Sequence, residues 1–339
     1  MSRNVIAADA ALIAERVNLQ PLSGRTVLIT GASGLLGTYF LAVLAQLKAS
    51  GVKVEAVAQV RSTPPAHTLE IIERSGFRLI HADLAEDGAV FQLPMADAII
   101  HSAGYAQPLV FMENPAATFQ LNTTATVALL RRLREGGAFL FLSSTEVYNG
   151  LAGRRVTESD IGTTGPGHPR ACYIEGKRGG ETICHAFRST GIRAVAARLA
   201  MTYGPGTRPG DKRAMNSFIE QALVRGRIDL MDAGLAFRTY CYVSDAVEMM
   251  FQALLYGTQP IYNIAGHSLV TIAELANIIG RFTGAPVSYP ENPVEVRGAP
   301  DEVRVDVTRA EEEFRKTEFV SLETGLRATI DWQRNLYRA

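Results

Sequence analysis

The chain opens on an amphipathic stretch, residues 7–19 (AADAALIAERVNL), whose apolar positions recur with helical spacing until Pro21 stops it. Thr26-Val27-Leu28-Ile29-Thr30 is then a β-rich run ending at a glycine, and an apolar helical pattern follows from Leu35 to Lys48. Further strand-like runs are Val54 to Val60, Arg78 to Ile80, Asp97 to His101, Ala138 to Leu142 and Arg193 to Leu199, with helical stretches at 116–135 and 171–190. Short buried strands alternating with helices predict an α/β fold: a doubly wound parallel sheet of Rossmann type, covered on both faces. After residue 200, Pro205, Pro209, Pro260, Pro286, Pro290, Pro293 and Pro300 punctuate shorter elements. The expected organisation is an N-terminal helical arm over 1–22, a main domain over 23–199, and a smaller C-terminal lobe over 200–339 that returns strands to the main sheet.

Composition narrows the function. The 339 residues are 47% hydrophobic and 20% charged, and Lys+Arg and Asp+Glu are both 34. A formal charge of +0 leaves no electrostatic footprint for nucleic acid. Three cysteines, Cys172, Cys184 and Cys241, fit neither a disulfide framework nor a zinc pattern, and the six histidines lack metal-site spacing, so no metal is expected. No run of 18 apolar residues suggests a membrane span, and Arg3, Asp9, Glu15 and Arg16 break any signal-peptide core. The expected setting is the cytoplasm.

Gly31-Ala32-Ser33-Gly34-Leu35-Leu36-Gly37 places GxxGxxG between the first strand and its helix. Such a turn lets backbone N–H groups and a positive helix terminus approach a pyrophosphate, which makes 23–199 a dinucleotide-binding domain for NAD or NADP. The second strand ends Ala58-Gln59-Val60-Arg61-Ser62, without the acid that accepts from a ribose 2′-hydroxyl. Arg61 is suited to a 2′-phosphate, to stacking on adenine, or to solvent. Asp83, followed by Leu84, is placed to meet the adenine amine.

Tyr173 and Lys177 stand at i,i+4 on one face of a helix, behind a strand that ends Leu142-Ser143-Ser144-Thr145-Glu146. With these motifs the chain resembles the extended short-chain dehydrogenases/reductases, in particular their nucleotide-sugar epimerases, dehydratases and decarboxylases. The likeness runs over nearly the whole chain: His101-Ser102-Ala103-Gly104, Asn114-Pro115 with Asn122, Arg198 before Thr202-Tyr203-Gly204-Pro205, Arg238 to Asp245, Tyr262 to Ala265, and Asp331-Trp332.

The resemblance implies that Ser144, Thr145, Glu146, Tyr173 and Lys177 are catalytic. It implies that Ser102, Ala103, Gly104, Asn122, Tyr173 and Lys177 hold the cofactor together with the glycine loop. A tyrosine of ordinary pKa near 10 needs roughly 2.7 kcal/mol of phenolate stabilisation to act as a base about two units lower, and Lys177 is the candidate source. Ser144 would orient the substrate hydroxyl. The 4,6-dehydratases carry adjacent Asp-Glu after this serine, whereas Thr145-Glu146 here is closer to the Thr-Ser-Glu order of uronic-acid decarboxylases. Met201 replaces the family's diphosphate-contacting asparagine, which leaves Arg213 and Arg238 as substrate cations, with Arg297 offset from the decarboxylase arginine. The function expected is modification of a nucleotide-linked sugar through a 4-keto intermediate, by decarboxylation or 4-epimerisation. The rivals are an NADPH-dependent reductase of a non-sugar carbonyl and a catalytically silent nucleotide-binding module. A homodimer built on stretches 116–135 and 171–190 is also implied.

Overall fold

The computed structural model describes residues 3–292 and 302–337. Its strands, in chain order, are β1 (Thr26–Thr30), β2 (Glu55–Val60), β3 (Arg78–His81), β4 (Ala96–His101), β5 (Leu133–Ser144), β6 (Arg155–Val156), β7 (Arg193–Leu199), β8 (Met201–Tyr203), β9 (Ile228–Asp229), β10 (Phe237–Tyr242), β11 (Ile261–Ile264), β12 (Ser268–Thr271), β13 (Val287–Ser288) and β14 (Glu302–Val305). Seven of them form one sheet in the order β3-β2-β1-β4-β5-β7-β11. Every neighbouring pair in it is parallel. The doubly wound parallel fold read from the pattern is therefore the fold found. Strand order reverses between β1 and β4, and at such a switch point a crevice opens beyond the carboxyl ends of the strands.

Both faces of the sheet are covered because its strands are apolar on both sides. Helices Leu35–Ala49 and Val243–Tyr256 pack on one face, where Phe40 and Phe251 meet edge to face at 5.3 Å. On the other, helices Pro115–Asn122, Thr124–Leu130 and Ala171–Arg188 close over a core that includes Leu121, Leu129, Phe139, Phe141 and Cys184. Each such buried Leu or Phe contributes roughly 1.5–3 kcal/mol.

The helix expected over 116–135 is interrupted at Thr123 and ends at Leu130, and β5 begins five residues before the expected Ala138. Tertiary pairing overrides helical spacing here. The Ala96 N–H donates to the Arg132 carbonyl, Leu133 pairs with Ala96, and Arg134 reaches the Asp97 carboxylate at 2.7 Å. The amino-terminal helix spans Arg3–Arg16 rather than 7–19, and a 3-10 turn at Gln20–Leu22 takes the chain to β1. Its Asp9 accepts from the hydroxyls of Tyr39 at 2.9 Å and Tyr242 at 3.0 Å, which ties it to the helix behind the glycine loop. Beyond residue 200, β10 gathers β12, β14 and β8 into a second sheet that extends through β14 to β6, and β9 pairs with β13. Arg297 lies outside the described residues.

Candidate active site

Gly31 and Gly37 shape the crevice by what they lack. Gly31 has φ +64°, and a Cβ there would stand 2.7 Å from the Cα of Ala103; one on Gly37 would stand 2.6 Å from the Gly31 carbonyl oxygen. The loop therefore lies tight against β4 and its own helix, with Gly34 at the amino-terminal cap of helix Leu35–Ala49. Behind it a neutral network fixes the end of β4. His101 is buried and pulled down to about 4 by desolvation, so it is neutral near pH 7. Its Nε2 meets the Leu121 carbonyl at 2.9 Å and its Nδ1 meets Thr30 Oγ1 at 2.8 Å. The Ser102 hydroxyl donates to the Thr30 carbonyl at 2.5 Å, and the Ala103 N–H donates to Thr30 Oγ1 at 3.2 Å.

The resulting cleft has a volume of about 480 Å³. Of the residues assigned to the cofactor from sequence, Gly31, Ser33, Gly34, Leu35, Leu36, Gly37, Arg61, Asp83, Leu84, Ser102, Ala103 and Gly104 line it. Asn122 does not. It is buried behind the helix Ala171–Arg188, its amide donates to the Thr118 carbonyl at 2.7 Å, and its side chain lies 3.3 Å from where a Cβ on Gly176 would sit.

Ser144 ends β5 and Tyr173 sits in the first turn of helix Ala171–Arg188, so strand end and helix start converge. The Ser144 hydroxyl accepts from the Glu146 N–H at 3.2 Å, capping the short turn Thr145–Tyr148, and also hydrogen-bonds the Tyr173 phenol. Phe111 stacks on the Tyr173 ring at 4.5 Å. Lys177 Nζ lies 5.5 Å from that ring's centroid and donates to the Leu142 carbonyl at 2.6 Å.

The depressed tyrosine pKa expected from the sequence is not what the chain itself produces. Burial pushes Tyr173 up to about 12; the Ser144 bond pulls it back, Glu146 raises it further and Arg213 lowers it. Burial likewise brings Lys177 down to about 7, against the pull of Glu181. Desolvation penalises each charge separately, so phenolate and ammonium are favoured only together.

Glu146 is buried and ion-paired: Arg170 Nη1 lies 2.6 Å from its Oε1. Thr145 is buried beside it. Among the substrate cations, Arg213 lines the cleft with Asp211, which holds its guanidinium at 3.0 Å, and coulombic coupling links Arg213 to Tyr173. Arg238 is buried in β10 and donates to the Phe237 carbonyl at 2.7 Å, outside the cleft lining. Met201 is half-buried in β8 and registers with Tyr240.

Several residues escaped the sequence reading, Tyr105 and Asp211 on the cleft wall among them. Arg208 lines the cleft and donates to the Ser33 carbonyl at 2.8 Å, Gln59 bonds the Gly31 N–H, and Arg170 holds Glu146. Only Arg170 carried a usable signal, standing directly before the tyrosine helix.

A glycine turn at the crossover of a parallel sheet, with serine, tyrosine and lysine converging beside it, defines a Rossmann-type oxidoreductase-like enzyme of the extended short-chain class. Residues 27–265 match the family model of the NAD dependent epimerase/dehydratase family, and the chain belongs to that family. Among curated proteins it is 30% identical over 316 residues to UDP-glucuronic acid decarboxylase 1 of Xenopus tropicalis, covering 91% of this chain and 72% of that one. It is 33% identical over 312 residues to UDP-glucuronic acid decarboxylase 6 of Arabidopsis thaliana, covering 90% and 87%. Among solved structures, MoeE5 in complex with UDP-glucuronic acid and NAD has a TM-score of 0.73 at 25% identity, over 92% of this chain and 99% of that one. The UDP-glucuronic acid 4-epimerase of Bacillus cereus, at 23% identity with a TM-score of 0.76 over 92% and 100%, shares the fold. Among the described residues, no helix is long and apolar enough to cross a membrane.

Proposed function

We propose that the chain binds a nicotinamide dinucleotide along Gly31–Gly37 and decarboxylates a UDP-linked uronic acid through a 4-keto intermediate. The steric fit supports the cofactor: Gly31 and Gly37 have no room for a side chain, which holds the turn tight against Ala103 and Ala32 and leaves the loop and the amino terminus of helix Leu35–Ala49 on the cleft wall. When bound, the nicotinamide supplies an acceptor for the C4 hydride and gives the hydride back at the end, so no net redox results. Ser144 orients the C4 hydroxyl, and the Tyr173 oxygen takes its proton, with Lys177 balancing the phenolate. The C4 ketone makes the C5 carboxylate a β-keto acid; the C4-side carbonyl receives the electron pair as carbon dioxide leaves, and a proton then returns to C5. Arg213 is the cation on the cleft wall for the diphosphate.

The observation that carries decarboxylation over epimerisation is the buried Glu146–Arg170 pair two residues beyond Ser144 and within electrostatic reach of Tyr173. A charged carboxylate held there has a task at C5, whereas rotation of a 4-keto sugar needs none. The test is carbon dioxide release from UDP-glucuronic acid. Release by the wild type, together with accumulation of reduced cofactor by Glu146→Gln, is expected. Interconversion of the C4 epimers without carbon dioxide would establish the epimerase instead, and steady consumption of NADPH a reductase.

Helices Pro115–Asn122 and Ala171–Arg188 share a surface hollow through Gln120 and Ile183, which the exposed Phe91 also lines, and Phe119 is exposed on the first of these helices. This supports a homodimer through that face. Light scattering should give twice the 36.7 kDa of one chain at micromolar concentration.

A further inference from the structure

We infer that the adenosine end of the cleft is built for a 2′-phosphate and that this chain prefers NADP over NAD; the inference rests on the dinucleotide reading above. It starts at the end of β2. In a Rossmann fold that takes the unphosphorylated cofactor, an acid at this place accepts from the ribose 2′-hydroxyl. Here the place is filled by Gln59, which is buried and has both ends of its amide engaged. Its Oε1 accepts from the Gly31 N–H at 3.0 Å and its Nε2 donates to the Ala82 carbonyl at 2.7 Å. The amide is spent on bracing the glycine loop against the end of β3 and is neutral. A 2′-phosphate brought next to it meets no repulsion, and a 2′-hydroxyl finds no carboxylate.

Arg61 follows two residues later. It stands just past the end of β2 and lines the cleft together with Gln59 and Ser62. Its guanidinium is held in place: Nη1 donates to the Tyr105 hydroxyl at 2.6 Å, and its carbon lies 5.0 Å from the centroid of that ring. Tyr105 also lines the cleft. The tyrosine thus stacks and orients the arginine but neutralises nothing, and it takes one of the five N–H donors that a guanidinium presents. A forked donor set of fixed orientation suits a phosphate.

The other charged side chains of the cleft have hydrogen-bond partners of their own. Asp211 is tied to Arg213, and Arg208 donates to the Ser33 carbonyl at the phosphate loop. Asp83 accepts from the Ala85 N–H at 3.0 Å, within its own turn. Arg61 is therefore the cation at the ribose end, and the geometry assigns it, with Ser62, to a 2′-phosphate.

Calorimetric titration of the purified protein with NADP⁺, NAD⁺, 2′,5′-ADP and ADP tests this without turnover. Charge-assisted contacts to a phosphate should make NADP⁺ bind about 10- to 100-fold more tightly than NAD⁺, with 2′,5′-ADP ahead of ADP by a similar factor. Arg61 is exposed, so Arg61→Gln should fold normally, and its affinity for NADP⁺ should fall by about that factor more than its affinity for NAD⁺. Equal or tighter binding of NAD⁺ by the wild type would overturn the 2′-phosphate site yet leave the dinucleotide reading standing. So would an unchanged preference in Arg61→Gln. Failure of both dinucleotides to bind would overturn both readings.

Discussion

The two ends of the cleft are built from different materials. At the cofactor end, backbone and neutral groups do the positioning: two glycines without room for a Cβ, and a histidine kept neutral between Thr30 and Leu121. At the catalytic end, buried ion pairs do it. Arg170 holds Glu146 at 2.6 Å, and Arg198 holds Glu181 at 2.8 Å while also donating to the Tyr148 hydroxyl at 2.9 Å. Glu181 in turn accepts from Ser143 at 2.5 Å, so this network grips the end of β5 one residue before Ser144. The difference follows from what each end must meet. A dinucleotide diphosphate needs close approach and free N–H groups, whereas proton transfer needs charges fixed at set points where water is excluded.

The largest effect that separates the two constructions is expected at Arg198. Arg198→Met strands a buried Glu181 carboxylate and should cost about 3–5 kcal/mol in urea unfolding. The double variant Arg198→Met/Glu181→Leu removes both charges and should recover most of that loss, because a buried pair replaced by apolar groups is often neutral. A single variant as stable as wild type would show that the catalytic end is not held together by this pair.

Next comes Tyr173→Phe. Loss of the proton acceptor should lower kcat about 10²-fold or more while dinucleotide affinity stays within about threefold, since the lost group acts at the transition state. Steady-state rates on UDP-glucuronic acid beside a dinucleotide titration check both halves. A variant keeping most of its turnover would remove Tyr173 from the chemistry.

The cofactor end should fail differently. Gly37→Ala places a Cβ 2.6 Å from the Ala32 Cα, and backbone cannot yield as a flexible side chain can. The expected cost is about 1–3 kcal/mol, with weakened dinucleotide binding and no pH dependence of its own. Thermal melts with and without cofactor would show it; an unchanged ligand-induced shift would mean that the loop tolerates the displacement.

The same contrast decides what could be read from the sequence. Gly31 to Gly37, Tyr173 and Lys177 were legible because each motif is local: a turn or one helical face fixes the spacing. The first strands were legible for a like reason, since buried parallel strands form short apolar runs. The charged network was not. Arg170 meets Glu146 across 24 positions, Ser143 meets Glu181 across 38, and Tyr148 meets Asn263 across 115. No periodicity links such partners. The helix that stops at Leu130, short of the expected 135, failed for the same reason, because Leu133 pairs with Ala96 of β4 against its helical spacing. Gln59 reads as an ordinary strand residue until Gly31 and Ala82 are seen on either side of it.

The smallest effect tests the amino-terminal arm, which precedes the segment that carries the family match and borrows the charged construction for the cofactor side. Asp9 accepts from Tyr39 and Tyr242 through a single carboxylate oxygen, Oδ2. Burial raises its pKa, while the two phenol bonds pull it down and Asp245 adds a smaller push upward. A carboxyl whose folded-state pKa is raised gives up its proton first in the unfolded chain, so the folded state loses stability as pH climbs from the ordinary aspartate range through the raised value. Asp9→Asn keeps an oxygen able to accept from both tyrosines and cannot ionise. Below the ordinary aspartate range the variant should melt close to wild type, within the ~1 kcal/mol of one altered hydrogen bond. As pH climbs above the ordinary aspartate range it should gain on wild type, because only the wild type bears the cost of a buried charge. Paired thermal melts across that climb read the difference directly. A variant that instead loses ground as pH rises would mean that the two phenols stabilise the carboxylate by more than burial costs it. The arm would then be clamped to the helix behind the glycine loop by a favourable charge, and the division between a glycine loop positioned by backbone and neutral groups and a catalytic end positioned by ion pairs would not hold there.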